Sequence, residues 1–218
     1  MRGRTAVVGL AFLGLTCAAQ GGLMDRMFKH KEGSMSVSSK HEMKIGEQAP
    51  DFKDLPGVDG KKYGLADFGA SKVLVVIFSC NHCPYVRAYE DRIIALQKDF
   101  KDKGVQFVAI NSNDAEGYPE DNFENMVKRA QQKKFNFPYL RDESQAVARA
   151  YGASHTPHIF VFNQDRRLGY TGKIDDNWEK PEQVKKQYLK DALTALVQGK
   201  APAEPETFAI GCTIKWKS

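Results

Sequence analysis

The stretch VLVVIFSCNHCPYVRAYEDRI, residues 73–93, decides how this chain folds. It opens with six apolar residues, Val73–Phe78, which are typical of a central strand buried on both faces. Cys80 and Cys83 follow directly, and Pro84 opens a helix-like segment. The N–H groups and dipole of a helix N-terminus favour an anion, so a thiol placed there ionises more easily. The stretch therefore predicts a strand–CxxC–helix unit with a redox-active cysteine pair.

The two thiols are expected to have different roles. We assign Cys80, at the exposed mouth of the loop, as the attacking nucleophile. Cys83, in the first helical turn, is the resolving thiol that closes on the mixed disulfide. His82 can carry a positive charge near both sulfurs and so stabilise a thiolate. A structural zinc site needs four ligands and no second CxxC exists in the chain, so redox chemistry is favoured over zinc.

The sequence around this unit predicts an α/β fold. Apolar residues recur at intervals of three and four after Pro84, as on one face of a long helix. Further strands are expected at Val105–Ile110, His158–Phe162 and Leu168–Thr171. Helices are expected over residues 122–134, 144–151 and 184–196. This order predicts a central mixed β-sheet flanked by helices on both faces.

Thr156-Pro157 stands directly before the third long apolar strand. A cis proline at a strand start often accompanies a CxxC pair, and it would place the Thr156 backbone against the sulfurs to receive an extended substrate chain. An ordinary proline at the start of a strand is the alternative. His155 and His158 flank the dipeptide and could tune the thiol pKa or help the cysteines hold copper, although lone histidines are more often surface or structural residues.

The first nineteen residues have the pattern of a signal peptide. Arg2 and Arg4 form a basic start, Ala6–Ala19 carries no charge, and small residues allow cleavage after Ala19. An uncleaved anchor and a lipid-modified Cys17 are the alternatives, although the residues before Cys17 fit a lipoprotein signal poorly. All three place the domain outside the cytoplasm, in a periplasmic or other extracytoplasmic space where disulfides persist. No stable membrane span is expected after processing.

Residues 20–44 are polar and lack apolar periodicity, so they are predicted to form a flexible tether before a domain at 45–218. The tether holds four of the six methionines and two histidines: Met24, Met27, Met35, Met43, His30 and His41. Thioether and imidazole groups suit Cu(I), so a soft copper site is one hypothesis. A linker with incidental methionines is the favoured one.

The composition narrows the choice of partners. The chain has 218 residues and a net charge of +5, of which the basic start supplies +2. This charge is too small and too scattered to argue for nucleic acid. No cofactor is expected. The expected partners are protein or small-molecule disulfides and thiols, together with a redox partner protein.

Three further residues, Cys212, Asn111 and Asn113, each have two candidate roles. Cys212 is an odd thiol in an exported chain, and it could be a third relay cysteine or a buried inert residue, the latter slightly favoured. Asn111 and Asn113 end a predicted strand on the side where α/β folds place their sites. Turn formation and helix capping are the more common roles for such residues.

From Pro50 to Trp216 the chain resembles the redoxin branch of the thioredoxin superfamily, the peroxiredoxin-like AhpC/TSA group. The matching stretches are FSCNHCPYVRAYEDRI (78–93), VAINSNDAEGYPEDNFENM (108–126), FPYLRDESQAVARAYGA (137–153), HTPHIFVFN (155–163) and IGCTIKWK (210–217). The resemblance implies a thioredoxin-like fold, with Cys80 and Cys83 as the redox pair and Pro157 as a cis proline. Relatives often carry a cysteine where this chain has His155, so a mechanism that uses a thiol at that position is not expected here.

Three functions follow from the resemblance and the residues. The first is an exported thiol–disulfide oxidoreductase that works through a mixed disulfide. The second is a thiol peroxidase, although Val76 and Cys80 stand where the P-x-x-x-T/S-x-x-C signature of peroxiredoxins has Pro and Thr or Ser. The third is copper binding or delivery by Cys80, Cys83 and His155, although the copper-delivery proteins of this superfamily use a CxxxC pair.

Overall fold

The structure, a computed structural model, describes residues 42–218. The predicted signal peptide and the tether up to residue 41 lie outside the described residues, and with them Cys17, Met24, Met27, Met35, His30 and His41. Met43, the last methionine of the predicted tether, is buried in the core. Packing of the domain therefore includes residues just before the predicted start at Ile45.

The described part of the chain forms nine strands and four α-helices. In chain order they are β1 Leu55–Pro56, β2 Lys62–Tyr63, β3 Val73–Phe78, α1 Pro84–Lys101, β4 Val105–Asn111, α2 Phe123–Lys133, β5 Tyr139–Arg141, α3 Ala146–Ala150, β6 His155–Thr156, β7 His158–Phe162, β8 Leu168–Gly172, α4 Tyr188–Val197 and β9 Cys212–Thr213. Short 3₁₀ turns occur at Leu65–Phe68, Pro119–Asp121 and Pro181–Gln183. The predicted elements are present, with shorter helices than expected after residue 144.

The last helix begins later than its apolar pattern predicts. Val184 is extended and lies outside α4, which starts at Tyr188. The intervening backbone is bonded to the loop before it, because Lys185 N–H donates to the Asp176 carboxylate and Asp176 N–H donates to the Lys186 carbonyl. These bonds hold residues 185–186 away from the helix.

A five-stranded sheet in the order β5-β4-β3-β7-β8 forms the centre of the domain. β3 lies in the middle, parallel to β4 and antiparallel to β7. β5 extends the parallel side and β8 the antiparallel side, which confirms the predicted mixed sheet. Every residue of β3 is at most 1% exposed, as its run of apolar residues predicted.

Alternate residues of β3 face two separate apolar layers. Val75 and Ile77 pack with the apolar sides of α1, α2 and α4 on one face of the sheet. Leu74 and Val76 pack on the other face with α3 and with the C-terminal segment around Trp216. Helices thus cover both faces, and the C-terminal segment belongs to the core.

A two-stranded pair, β6 with β9, lies beside the central sheet. It brings the chain end against the residues that precede Pro157. Over residues 42–218, none of the helices has the length and apolar character that spanning a bilayer requires.

Candidate redox site

The CxxC loop lies where the central strand gives way to the first helix. Ser79 N–H bonds to the Ile110 carbonyl and extends the β3–β4 pairing by one step. Cys83 is the N-cap of α1, with extended backbone (φ −64°, ψ 124°), and Pro84 occupies the first helical position. A residue before proline disfavours helical geometry, and a first-turn proline has no helical N–H bond to lose. Pro84 therefore places Cys83 at the helix start.

Thr156 contacts both sulfurs of the pair. Its Oγ1 lies 3.3 Å from Cys80 Sγ, and its carbonyl oxygen lies 3.1 Å from Cys83 Sγ, which donates to it when protonated. The Thr156–Pro157 peptide bond is cis, as the sequence analysis expected. The structure thus brings together four of the predicted site residues: Cys80, Cys83, Thr156 and Pro157.

Both thiols are enclosed. Cys80 is 2% exposed and Cys83 is fully buried, so the expectation that Cys80 lies at an exposed mouth is wrong. The two cysteines pack with Val86, and Tyr85 and Cys212 lie against this cluster. The C-terminal segment, which the sequence pattern did not place here, contributes to this cover.

The two thiols titrate as a pair. The pKa of Cys83 is lowered to about 4, mainly because its sulfur accepts a hydrogen bond from the Cys80 thiol, with further bonds from Cys212 and the Val86 N–H in the first turn of α1. Donating that bond, together with burial and the nearby charge of Asp121, raises the pKa of Cys80. The neighbours of the pair therefore favour the thiolate form of Cys83 over that of Cys80.

A buried carboxylate, Asp121, organises the CxxC loop from the side opposite Thr156. Its Oδ1 accepts the Asn81 N–H at 2.6 Å, and its Oδ2 lies 2.7 Å from both His82 Nδ1 and Asn113 Nδ2. Asp121 is fully buried, and paired donors of this kind offset the cost of burying a charge. The predicted positive charge of His82 thus has a carboxylate as its direct partner.

Asn111 and Asn113 lie at the end of β4 and belong to this network. Asn111 Nδ2 donates to the Asp121 carbonyl, and Asn113 Oδ1 accepts the Lys215 N–H. The prediction that these residues serve only in turns and caps is therefore incomplete. Asn111 ties the end of β4 to Asp121, and Asn113 ties it to both Asp121 and the C-terminal segment. Sequence reasoning missed Asp121, and the only signal for it was the polar run that follows β4 at the sheet edge where α/β folds place their sites.

The histidines beside Pro157 do not join the thiols. His155 Nδ1 lies 2.8 Å from Ser154 Oγ, and the half-buried His158 lies between Ser154 and Thr171. Burial lowers the pKa of His158 to about 3, so it stays neutral. Within residues 42–218, the three side chains that could together ligate a metal ion are instead Cys80, His82 and Asp121, whose potential ligand atoms lie within 4.8 Å of one another. The copper hypothesis therefore loses the ligand that it took from His155.

A family model described as Redoxin matches residues 44–188. The chain belongs to the Redoxin family. Its solved relatives include a hypothetical protein from Sinorhizobium meliloti (37% identity, 82% of this chain and 97% of that one, TM-score 0.77) and an uncharacterized conserved protein from Geobacillus kaustophilus (44% identity, 80% and 93%, TM-score 0.76). No curated protein matches the chain.

More distant structures share the fold of this redoxin. A protein described as a thiol:disulfide interchange protein from Chlorobium tepidum is 24% identical, with 72% of this chain and 98% of that one covered and a TM-score of 0.56. A peroxidoxin from Mycobacterium tuberculosis is 21% identical over the same shares, with a TM-score of 0.55. These likenesses confirm the thioredoxin-like fold.

The third cysteine of the described part of this redoxin, Cys212, is half-buried rather than buried. It lies in β9 directly opposite Thr156 of β6. Burial, and hydrogen bonding to the charged Cys83, raise the pKa of Cys212 to about 11. Cys212 is therefore part of the site, which its isolated place in the sequence did not reveal.

Proposed function

We propose that this redoxin is an exported thiol–disulfide oxidoreductase whose working pair is Cys80 and Cys83. The observation that carries the proposal is the contact of Thr156 with both sulfurs at the N-terminus of α1. A thiolate stabilised at a helix N-terminus beside a second thiol is the arrangement that thiol–disulfide exchange requires.

The proposed reaction begins with proton transfer inside the pair. The Cys83 thiolate takes the proton of the Cys80 thiol, and the Cys80 sulfur attacks a substrate disulfide. One substrate sulfur leaves as a thiolate and the other forms a mixed disulfide with Cys80. Cys83 then loses its proton to the leaving thiolate and attacks Cys80, which forms the Cys80–Cys83 disulfide and releases a reduced substrate.

This order keeps Cys80 as the attacking thiol, with Cys83 as both its base and the resolving group. The packing of both sulfurs in one cluster, each in contact with Thr156, supports the proton transfer. His82 and Thr156 have positioning roles, since each contacts a partner that borders the sulfurs. Export, and partners that are thiols or disulfides, rest on the sequence pattern and the chemistry of the pair.

Trapping of the mixed disulfide tests the proposal. The reduced Cys83→Ser variant lacks the proposed base, so it is mixed with a disulfide-linked peptide at a pH high enough to ionise Cys80. It is expected to accumulate a Cys80 adduct that mass spectrometry locates. The Cys80→Ser variant serves as the matched control and is expected to give little adduct. An adduct on Cys83 alone would reverse the assigned order.

Turnover distinguishes the candidate functions. The wild-type protein should reduce insulin disulfides when glutathione supplies electrons, and either cysteine variant should not. Rapid consumption of hydrogen peroxide by the reduced protein without insulin reduction would instead indicate a thiol peroxidase.

A further inference from the structure

The C-terminal segment is attached to the redox site by backbone pairing. β9 runs antiparallel to β6, with Cys212 opposite Thr156 and Thr213 opposite His155. The next residue, Ile214, is buried, and its N–H bonds to the Ser154 carbonyl at 3.0 Å. This segment is therefore held in register over the residues that precede Pro157.

Gly211 shows how closely the segment approaches Thr156. A Cβ atom at this position would lie 2.1 Å from the Thr156 carbonyl oxygen, well inside van der Waals contact. The same carbonyl lies 3.1 Å from Cys83 Sγ. Only glycine lets β9 lie against the atom that borders the Cys83 sulfur.

Three cysteines border Thr156. Its hydroxyl contacts Cys80, its carbonyl contacts Cys83, and its strand partner is Cys212. Side chains of paired residues in an antiparallel ladder lie on the same face, so Cys212 and the Thr156 hydroxyl point the same way. Cys212 also packs against the cluster that Cys80 and Cys83 form with Val86.

We propose that Cys212 is a third redox thiol that exchanges with the Cys80–Cys83 disulfide and forms a Cys83–Cys212 disulfide. The Cys212 sulfur attacks Cys83, the Cys80–Cys83 bond breaks, and Cys80 leaves as a thiolate that takes the proton lost by Cys212. The number of disulfides is unchanged, so the step needs no outside oxidant. This inference rests on the proposed function of the CxxC pair.

The oxidised state removes the obstacle to this attack. In the reduced protein the Cys83 thiolate hinders ionisation of Cys212 by its hydrogen bond and its charge. In the Cys80–Cys83 disulfide that charge is gone, so the pKa of Cys212 is expected to fall. Exchange is thereby favoured only once the pair has been oxidised.

The exchange would also bring the disulfide within reach of a partner. Cys80 and Cys83 are enclosed, whereas Cys212 is half-buried. A thiol of a redox partner can therefore approach a disulfide that includes Cys212 more readily than the Cys80–Cys83 bond. Cys212 would pass oxidising equivalents from the enclosed pair to the surface.

Disulfide mapping tests the inference, because trypsin separates the cysteines. Cys80 and Cys83 lie together in peptide 73–87, and Cys212 lies in peptide 201–215. In a chain with Cys17→Ser, oxidised with diamide and quenched with acid, we expect the two peptides cross-linked through Cys83. When Cys80→Ser is added to this chain, the cross-linked peptide should become the main product. When Cys83→Ser is added instead, the cross-linked peptide should be lost.

The outcomes separate the two proposals. If the chain with both cysteines forms the Cys80–Cys83 disulfide and neither it nor the Cys80→Ser variant gives the cross-linked peptide, the role of Cys212 is overturned and the oxidoreductase is left intact. Failure to form any disulfide overturns both. A cross-link through Cys80 rather than Cys83 would also contradict the inference.

Gly211→Ala supplies a second test that keeps every thiol. The added methyl group should displace β9 from Thr156, so the cross-linked peptide should be lost while the Cys80–Cys83 disulfide still forms. Thr213→Ala, an exposed change in the same strand, is the matched control and should leave the cross-link in place. Equal cross-linking in both variants would show that contact through β9 does not bring the thiols together.

Discussion

At the scale of single residues, the charges around Cys80 and Cys83 separate their roles. Cys83 receives hydrogen bonds from the helix start and from two other thiols, whereas Cys80 faces the buried carboxylate of Asp121. A nearby negative charge disfavours a thiolate, and donated hydrogen bonds favour it. The difference between two adjacent thiols therefore comes from their neighbours.

Replacement of Asp121 by Asn is expected to lower the pKa of Cys80, because it removes a negative charge while nearly keeping the side-chain shape. The measurement is the thiolate absorbance near 240 nm against pH. It uses a chain with Cys17, Cys83 and Cys212 changed to Ser, in which Cys80 is the only thiol.

Glu120→Gln is the matched control for that change. Glu120 is exposed, and its contact with the CxxC loop is made by its backbone carbonyl, which accepts from Asn81 Nδ2. The control should leave the titration of Cys80 where it was. A Cys80 pKa that does not fall in Asp121→Asn would show that the carboxylate is uncharged in the folded protein.

At the scale of elements, α1 is tied to the sheet by a buried amide as well as by apolar packing. β5 pairs with β4 only over Ala109–Asn111, so within residues 42–218 the start of β4 has no strand partner on that side. Gln97 of α1 supplies the missing bonds, since its Oε1 accepts the Phe107 N–H at 2.6 Å and its Nε2 donates to the Val105 carbonyl at 3.1 Å. The helix that begins at Cys83 is thereby attached to the sheet.

Gln97→Leu should lower the free energy of unfolding by about 1–3 kcal/mol, because it leaves a buried N–H and a buried carbonyl without partners. Chemical denaturation of the reduced protein measures the change. Gln131→Leu makes the same substitution at an exposed position of α2 and should stay within about 0.5 kcal/mol of wild type. Equal effects of the two variants would contradict the role assigned to Gln97.

At the scale of the whole molecule, the charge of the site is linked to the stability of the fold. The folded pKa of Cys83 is about 4, against 9.0 for an ordinary thiol. Unfolding between these values requires Cys83 to bind a proton, so the stabilisation is present at high pH and is lost as pH falls through about 4. The Cys80 thiol stays protonated in this range because its pKa is raised.

The reduced protein should therefore gain stability between pH 5 and pH 8 relative to its Cys83→Ser variant, by at most about 1.4 kcal/mol per pH unit. Denaturation of both proteins at several pH values measures the difference, in which the other titrating groups largely cancel. A difference that stays constant with pH would mean that Cys83 is protonated in the folded protein.

The elements nearest the CxxC pair were the most predictable. An unbroken apolar run such as Val73–Phe78 is typical of a strand buried on both faces of a sheet. Pro84 is compatible with the first turn of a helix but not with its interior, so the helix cannot begin much earlier in the chain. The cis bond before Pro157 was expected only by resemblance, and the structure confirms it. Asp121 was not predicted, and a relay role for Cys212 was only the less favoured of two alternatives, because each reaches the pair through contacts between residues 39 or more positions apart.

The sequence by itself determined an α/β fold with a central strand before Cys80 and Cys83, since apolar periodicity and cysteine spacing are local properties of the chain. Its resemblance to the redoxins implied the thioredoxin-like form of that fold and a redox role for both thiols. Only the tertiary structure decided which thiolate the neighbouring groups favour, what encloses the pair and which third thiol stands beside it. Those properties depend on the electrostatic field and the packing of segments that are distant in sequence, such as the Asp121 loop and β9. Burial makes such neighbours decisive, because charges and hydrogen bonds act more strongly away from water.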